Sequence, residues 1–454
     1  MVTTALPETP NLLATILSED VFHPAEPGSL EDAGISDSLV DSLVSKYLSV
    51  VGTASGRGIA DHICLPYGVI EGVLARLRTR QFMAHTGSAP LNDYYYALTD
   101  QGRQRAQGFM EVCSYVGPAP VPLIEYVLSV EAQAVRAEAP KRAQLEQAFE
   151  DITTDPSVFD SLGPAVNSGA GLFLYGAPGN GKTTLAERIT RCFGQHVWIP
   201  RTLIEDGQLI KLYDPAYHEA LKGSEQTFLK ENGHDRRWIK VRRPTVVAGG
   251  ELTMDSLEIR HDHHSNVSEA PLQLKSNCGS LLIDDFGRQR MEPQELLNRW
   301  IVPLEKRYDF LTLASGKKIQ VPFEQLIIFS TNLEPKDLVD EAFLRRIPYK
   351  VNIADPGEEE FHRLFERCAP NLGCEYRREM VEYLLATHYR PIGRCLRRCH
   401  PRDLLSQIRA YAAYNDLPFE MRPDYFDRVV KSYFTQVLDT PQEYRPAITQ
   451  PVSN

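Results

Sequence analysis

Gly176-Ala177-Pro178-Gly179-Asn180-Gly181-Lys182-Thr183 has the composition of a loop that wraps a phosphate. Glycines let the backbone turn so that successive N–H groups converge on one anion, and a following helix adds the positive end of its dipole. The pattern carries that meaning only after a strand and before a helix. Leu172-Phe173-Leu174-Tyr175 has the apolar run of such a strand, and Lys182 to Phe193 has apolar residues at helical spacing. Lys182 then bridges β- and γ-phosphates, the Thr183 hydroxyl ligates Mg2+, and Thr184 completes the ATP-binding set.

A second apolar strand, Leu281-Leu282-Ile283, ends in Asp284 and Asp285. Asp284 is suited to hold Mg2+ through water, and Asp285 to orient or deprotonate an attacking water. Asp285-Phe286-Gly287 also spells a kinase triplet. No kinase catalytic loop precedes it, and the phosphate loop is of the wrong kind. A third strand, Leu326 to Phe329, ends in Ser-Thr-Asn and places Asn332 at a tip beside the γ-phosphate. Arg345 and Arg346 follow in "AFLRRI", and Arg402 opens a helix in "CHPRDLL". A guanidinium near the transferred phosphoryl would stabilise its spreading charge. The alternative for the arginine pair is a helix C-terminal cap with surface acids as partners.

The chain that must position these groups has 454 residues, 43% hydrophobic and 24% charged, with a net charge of -11. That is ordinary globular composition, and it argues against coating nucleic acid by bulk charge. The start lacks a basic segment followed by an apolar core, and no apolar run is long enough to span a bilayer, so a cytoplasmic location without membrane contact is expected. Eight scattered cysteines fit reduced thiols. Cys395, Cys399 and His400 lack the tight pairs of a zinc site, and "RHDHHS" suits a solvated loop better than a metal centre.

Composition and periodicity divide the chain. Residues 1–27 suggest a flexible tail. Residues 28–110 suggest a winged helix: "GRGIADHICLPYG" gives a helix, a turn and the next helix, the strands of a hairpin flank Gly-Ser-Ala-Pro, and Thr99 or Asp100 caps an exit helix. Pro118, Pro120 and Pro122 mark residues 111–143 as a linker and helix. Residues 144–352 alternate strand-like and helical patterns, as a parallel α/β sheet does, with an insertion at about 200–275. Residues 353–440 are helical throughout, and 441–454 form a polar tail.

With these motifs in this order, the chain resembles the AAA+ ATPases over roughly residues 140–440. The segment before the third strand is similar to the branch with a β-hairpin there, as in Clp-type unfoldases. The whole chain resembles a bacterial group of winged-helix AAA+ ATPases described as chaperone-like. The resemblance implies an α/β P-loop core with a C-terminal helical lid, ATP and Mg2+ as ligands, and a homo-oligomeric ring, a hexamer. It makes Asn332 sensor one, Arg402 a candidate sensor two, and Arg346, with Arg345 second, an arginine finger aimed at the neighbouring subunit's ATP. Most members have Glu at the position of Asp285, whose shorter side chain brings the water closer.

Partner surfaces stay open. "DRRWIKVRRP", with Arg236, Arg237, Lys240, Arg242 and Arg243 around Trp238, suits nucleic acid or an acidic polypeptide, or else a solvated edge strand. Lys317 and Lys318 at the hairpin tip suit a substrate contact or a solubilised turn. Arg57, Arg76, Arg78 and Arg80 flank the recognition helix, yet residues 28–107 hold eight acids against seven bases, a weak footprint for a DNA reader. Protein remodelling, with an unknown protein as substrate, is therefore expected ahead of a DNA-directed motor or loader tethered by the winged helix.

Overall fold

The computed structural model describes residues 22–134, 140–152, 156–194, 196–221, 233–338 and 341–434. Two compact units emerge: residues up to Tyr175 with Lys182–Asn352, and Gly176–Gly181 with the residues from Ile353 on.

In the larger unit, residues 22–27 do not behave as the expected tail. The Phe22 ring lies 5.3 Å from that of Trp238, and the Asp235 amide donates to the Pro24 carbonyl at 2.9 Å. The rest of that tail, residues 1–21, and the expected tail 441–454 lie outside the described residues. Next come α1 (Asp37–Val51), β1 (Thr53–Ser55), α2 (Gly56–Ile63), α3 (Tyr67–Thr79), β2 (Met83–Ala89), β3 (Asp93–Leu98) and α4 (Asp100–Val112), the element order of a winged helix. Its antiparallel sheet runs β1-β3-β2. Hydroxyls of Ser36, Ser55 and Thr99 accept from the Leu39, Gly58 and Gly102 amides and cap α1, α2 and α4. Apolar residues four apart on α3, Ile70, Leu74 and then Leu77, are buried. The hairpin turns later than its sequence suggests. Gly87 and Ser88 stay in β2, with a register shift after His85, and the chain reverses at 90–92, where Leu91 and Asn92 have φ of 62° and 57°.

The proline-rich stretch is no free linker. Val121-Pro122 form β4, Leu123–Ala132 form α5, and Val121, Tyr126 and Val130 are buried. Proline is tolerated there because it starts the helix and lies on a sheet edge. Then follow α6 (Arg142–Ala148), α7 (Pro156–Ser168), β5 (Leu172–Tyr175), α8 (Lys182–Thr190), β6 (His196–Pro200), β7 (Thr202–Glu205), β8 (Gln208–Lys211), β9 (Trp238–Arg242), β10 (Thr245–Ala248), β11 (Arg260–Asp262), β12 (Val267–Glu269), α9 (Leu272–Lys275), β13 (Ser280–Ile283), α10 (Pro293–Arg299), α11 (Ile301–Lys306), β14 (Tyr308–Thr312), β15 (Lys318–Pro322), β16 (Leu326–Thr331), α12 (Pro335–Leu338), α13 (Glu341–Leu344) and β17 (Tyr349–Asn352).

Five of these strands form one parallel sheet in the order β10-β13-β16-β5-β17. The first strand of the core, β5, thus lies between the last two, as the expected AAA+ P-loop fold requires. Strands such as Leu281–Ile283 and Leu326–Phe329 are buried throughout, which explains their unbroken apolar runs. Register sets the tips level: Thr331 pairs with Tyr175, Asn352 with Tyr175, and Ile283 with Phe329. Ligands of open parallel sheets gather at such carboxyl ends.

The insertion and β4 form a second sheet, β11-β12-β8-β7-β4, and β6 pairs antiparallel with β9. Leu209 and Val267 of the insertion join the winged-helix core. Leu311, Leu313, Ile319 and Val321 of the β14–β15 hairpin join the insertion's core with Tyr126 and Val130. The hairpin tip is therefore docked. Its Ala314 amide donates to Gln208 Oε1 at 2.8 Å, and Lys317 Nζ lies 3.3 Å from Glu205 and 3.6 Å from Asp206.

The basic stretch turns inward. Arg237 is 1% exposed, binds the Asp235 carboxylate at 2.7–2.9 Å, and donates to the Ala33 and Pro120 carbonyls at 2.7 and 3.0 Å. Arg243 donates to the Gln133 and Cys278 carbonyls at 3.0 and 2.6 Å. Arg236 pairs with Asp61, Arg242 with Glu219, and Lys240 sits over Trp198. Neither a nucleic-acid surface nor a solvated edge describes Arg237 and Arg243. A buried guanidinium needs its donors filled, and here they tie the winged helix, the proline-rich stretch and the insertion together.

In the smaller unit, α14 (Glu358–Leu372), α15 (Arg378–Leu384), α16 (His400–Tyr414) and α17 (Pro423–Tyr433) pack around Phe361, Phe365, Leu384, Leu404, Ile408 and Phe426. Three glutamates in the first turn of α14 complement its dipole. These are the helices expected of the lid.

Candidate nucleotide and catalytic site

In the larger unit five side chains at the strand tips and the start of α8 form two hydrogen-bonded sets. Thr183 Oγ1 donates to Asp284 Oδ2 at 2.8 Å. Lys182 Nζ donates to Asn332 Oδ1 at 2.7 Å, and Asn332 Nδ2 donates to Asp285 Oδ1 at 3.0 Å. Asn332 therefore links the lysine to the second carboxylate. Lys182 is buried, Asp284 and Asn332 are half-buried, and Asp285 is exposed. Thr184, the third residue of α8, is half-buried.

Local structure holds the carboxylates apart. The Asp284 amide donates to the Ala248 carbonyl at 2.8 Å and continues the sheet for one residue. Asp285 then adopts φ 49°, a left-handed conformation that Asp tolerates better than most residues. Its amide turns back to Asp284 Oδ1 at 3.0 Å, and the Phe286 amide binds the Ser330 carbonyl at 2.7 Å. Gln289 closes the turn by donating to the Asp284 carbonyl at 2.8 Å. One carboxylate faces the Thr183 hydroxyl and the other faces Asn332. Oxygen donors from one hydroxyl and one carboxylate suit Mg2+, which takes its remaining ligands from phosphates and water.

The phosphate loop belongs to the smaller unit, and Gly176, Ala177, Pro178, Gly179, Asn180 and Gly181 are all described there. Gly179 has φ 83°, and a Cβ on it would stand 2.6 Å from Cys399 Sγ, so only glycine fits. Its carbonyl accepts from the Cys399 amide at 2.9 Å. Asn180 is fully buried. Its amide donates to Asp355 Oδ1 at 2.7 Å and to the Ile353 carbonyl at 3.3 Å, and its oxygen accepts from the Arg398 amide at 3.4 Å. Asp355 also forms an ion pair with Arg397.

The arginines take three different settings. The Arg402 side chain is 70% exposed, and its polar partner among the described residues is the adjacent Asp403. Arg397 lies nearer the loop, its Cβ 3.8 Å from where a Cβ on Gly179 would stand. Sequence reasoning passed over Asn180 as an anchor and over Asp355 and Arg397. The one signal was an Arg-Arg pair just before the helix that carries Arg402. Arg346 is held by Glu305 at 2.6 Å, whereas the Arg345 side chain is exposed and has no hydrogen bond or ion pair among the described residues.

Residues 357–432 match the model of a domain of unknown function (DUF8689). No curated protein matches the chain. Among solved structures, the chain is similar to NtrX from Brucella abortus in complex with ADP, at 13% identity over 64% of this chain and 58% of NtrX, with a TM-score of 0.40. It is also similar to RuvB of Thermotoga maritima, a Holliday junction branch migration motor, at 14% identity over 64% of this chain and 73% of RuvB, with a TM-score of 0.36. The fold assignment rests on the strand order and the tip chemistry above.

Proposed function

We propose that this chain binds ATP with Mg2+ and hydrolyses it in a homo-oligomeric ring, hexameric by the resemblance, to remodel a protein or protein complex. The observation that carries the hydrolytic part is the linked set Lys182–Asn332–Asp285 beside Thr183–Asp284. Each group has a distinct task. The loop amides and Lys182 hold the β- and γ-phosphates. Thr183 and Asp284 hold Mg2+, which supplies charge neutralisation on the phosphate oxygens. Asn332 contacts the γ-phosphate and the water, and Asp285 orients that water and takes up its proton. Arg345, exposed and without a side-chain hydrogen bond or ion pair among the described residues, is the first candidate to reach a neighbour's γ-phosphate, with Arg346 steadied by Glu305.

Protein is favoured over DNA as the partner because the winged-helix arginines are engaged. Arg76 binds Asp37 and Asp41, Arg80 reaches Asp41, Arg78 meets His85, and Arg57 covers the Tyr67 ring. A DNA reader needs free cations for phosphates, and its binding weakens steeply with salt. Turnover measured with and without duplex and single-stranded DNA, at low and moderate salt, should not respond to DNA. Salt-sensitive stimulation would replace remodelling with the DNA-directed motor or loader.

A further inference from the structure

We infer that Asp355, through Asn180 and Arg397, sets the nucleotide affinity of the phosphate loop. The inference rests on the proposed ATP site and adds a positioning residue to it. Asp355 follows β17 and is exposed, yet its carboxylate meets one side chain of the loop and one beside it. One is Asn180, a fully buried loop residue that donates at 2.7 Å. The other is Arg397, whose Cβ lies against Gly179. A carboxylate is thus one side chain away from the loop proposed to receive phosphate.

Two opposing effects follow. The Asn180 bond fixes the loop and favours binding. The negative charge opposes an incoming polyphosphate, by an amount that grows where water is scarce. Arg397 cancels that charge. The neighbouring lid arginines are committed elsewhere. Arg398 binds Glu360 and the Ala354 carbonyl, Arg394 lies 3.6 Å over the Phe434 ring, Arg390 binds Glu358 and Glu382, and Arg402 binds Asp403. Arg397 shares its partner with the phosphate loop, so the balance at Asp355 is set by this pair.

Opposite signs separate this role from simple structural support. Asp355→Asn keeps an oxygen to accept from Asn180 but removes the charge and releases Arg397. Arg397→Ala leaves the carboxylate uncompensated. Titration of the full chain with fluorescent ADP and a slowly hydrolysed ATP analogue should show Asp355→Asn tightening binding by about tenfold and Arg397→Ala weakening it by about tenfold or more. Arg397→Lys should lie between Arg397→Ala and wild type. If Asp355→Asn weakens binding as Arg397→Ala does, the pair is only structural and the inference fails while the ATP site stands. If Asp355→Asn does not fold, Arg397→Lys decides, and affinity no better than that of Arg397→Ala overturns it. A wild-type chain that binds neither nucleotide overturns both the inference and the ATP site.

Discussion

Arg236-Arg237 with Arg242-Arg243, and Arg345-Arg346, are two arginine-rich stretches of similar appearance and opposite fate. In the first, Arg237 and Arg243 are buried, and their hydrogen bonds among the described residues reach the Asp235 carboxylate and the carbonyls of Ala33, Pro120, Gln133 and Cys278. In the second, Arg346 has a carboxylate partner and Arg345 has none among the described residues. The difference comes from what surrounds each backbone. Arg237, just before β9, reaches carbonyls of the winged helix and the proline-rich stretch that need donors. The turn after α13 emerges at the surface. Clustered positive charge is therefore evidence for a ligand only where the fold leaves it unmatched.

Removing the buried arginine should break this contrast most severely. Arg237→Ala leaves Asp235 as an unpaired carboxylate among buried groups and should cost about 3–5 kcal/mol in chemical denaturation. A loss under 1 kcal/mol would mean that the internal tie is dispensable. Arg345→Ala should leave the melting temperature unchanged and lower ATP turnover by about a hundredfold or more in assembled protein. Arg346→Ala sharpens the comparison: it removes a half-exposed pair, should cost within about 1 kcal/mol, and should reduce turnover less than Arg345→Ala. The reverse order would return the trans role to Arg346. Arg242→Ala, whose partner Glu219 is exposed, should change stability least, by about 0–1 kcal/mol.

The parts legible in the sequence were those whose chemistry and element coincide. Lys182, Thr183, Asp284, Asp285 and Asn332 each stand where an apolar strand stops or a helix starts, so the pattern that marks the element also marks the side chain. The winged helix was legible through caps and the α3 period. Long-range partners were not. Nothing local to Arg237 announces the carbonyls of Ala33 and Pro120. Pro118, Pro120 and Pro122 carry the composition of a tether, and only the partner strand β7 makes Val121-Pro122 part of a sheet. Arg402 has the expected helix-start position, but its direction depends on packing, and Arg397, five residues earlier, is the one beside the loop.

Steady-state ATP hydrolysis by wild-type protein and Asp285→Asn, with nucleotide binding measured in parallel, tests the central claim most directly. Asp285 touches Asn332 but neither Thr183 nor Lys182 among its hydrogen bonds, so the amide should leave ATP bound and reduce turnover by about a hundredfold or more. Wild-type turnover per subunit should also rise with protein concentration as the ring assembles. Equal turnover by the two proteins, or ATP bound by wild type without hydrolysis at any concentration, would contradict the assignment of Asp285 and with it the reading of this chain as an ATP-driven machine.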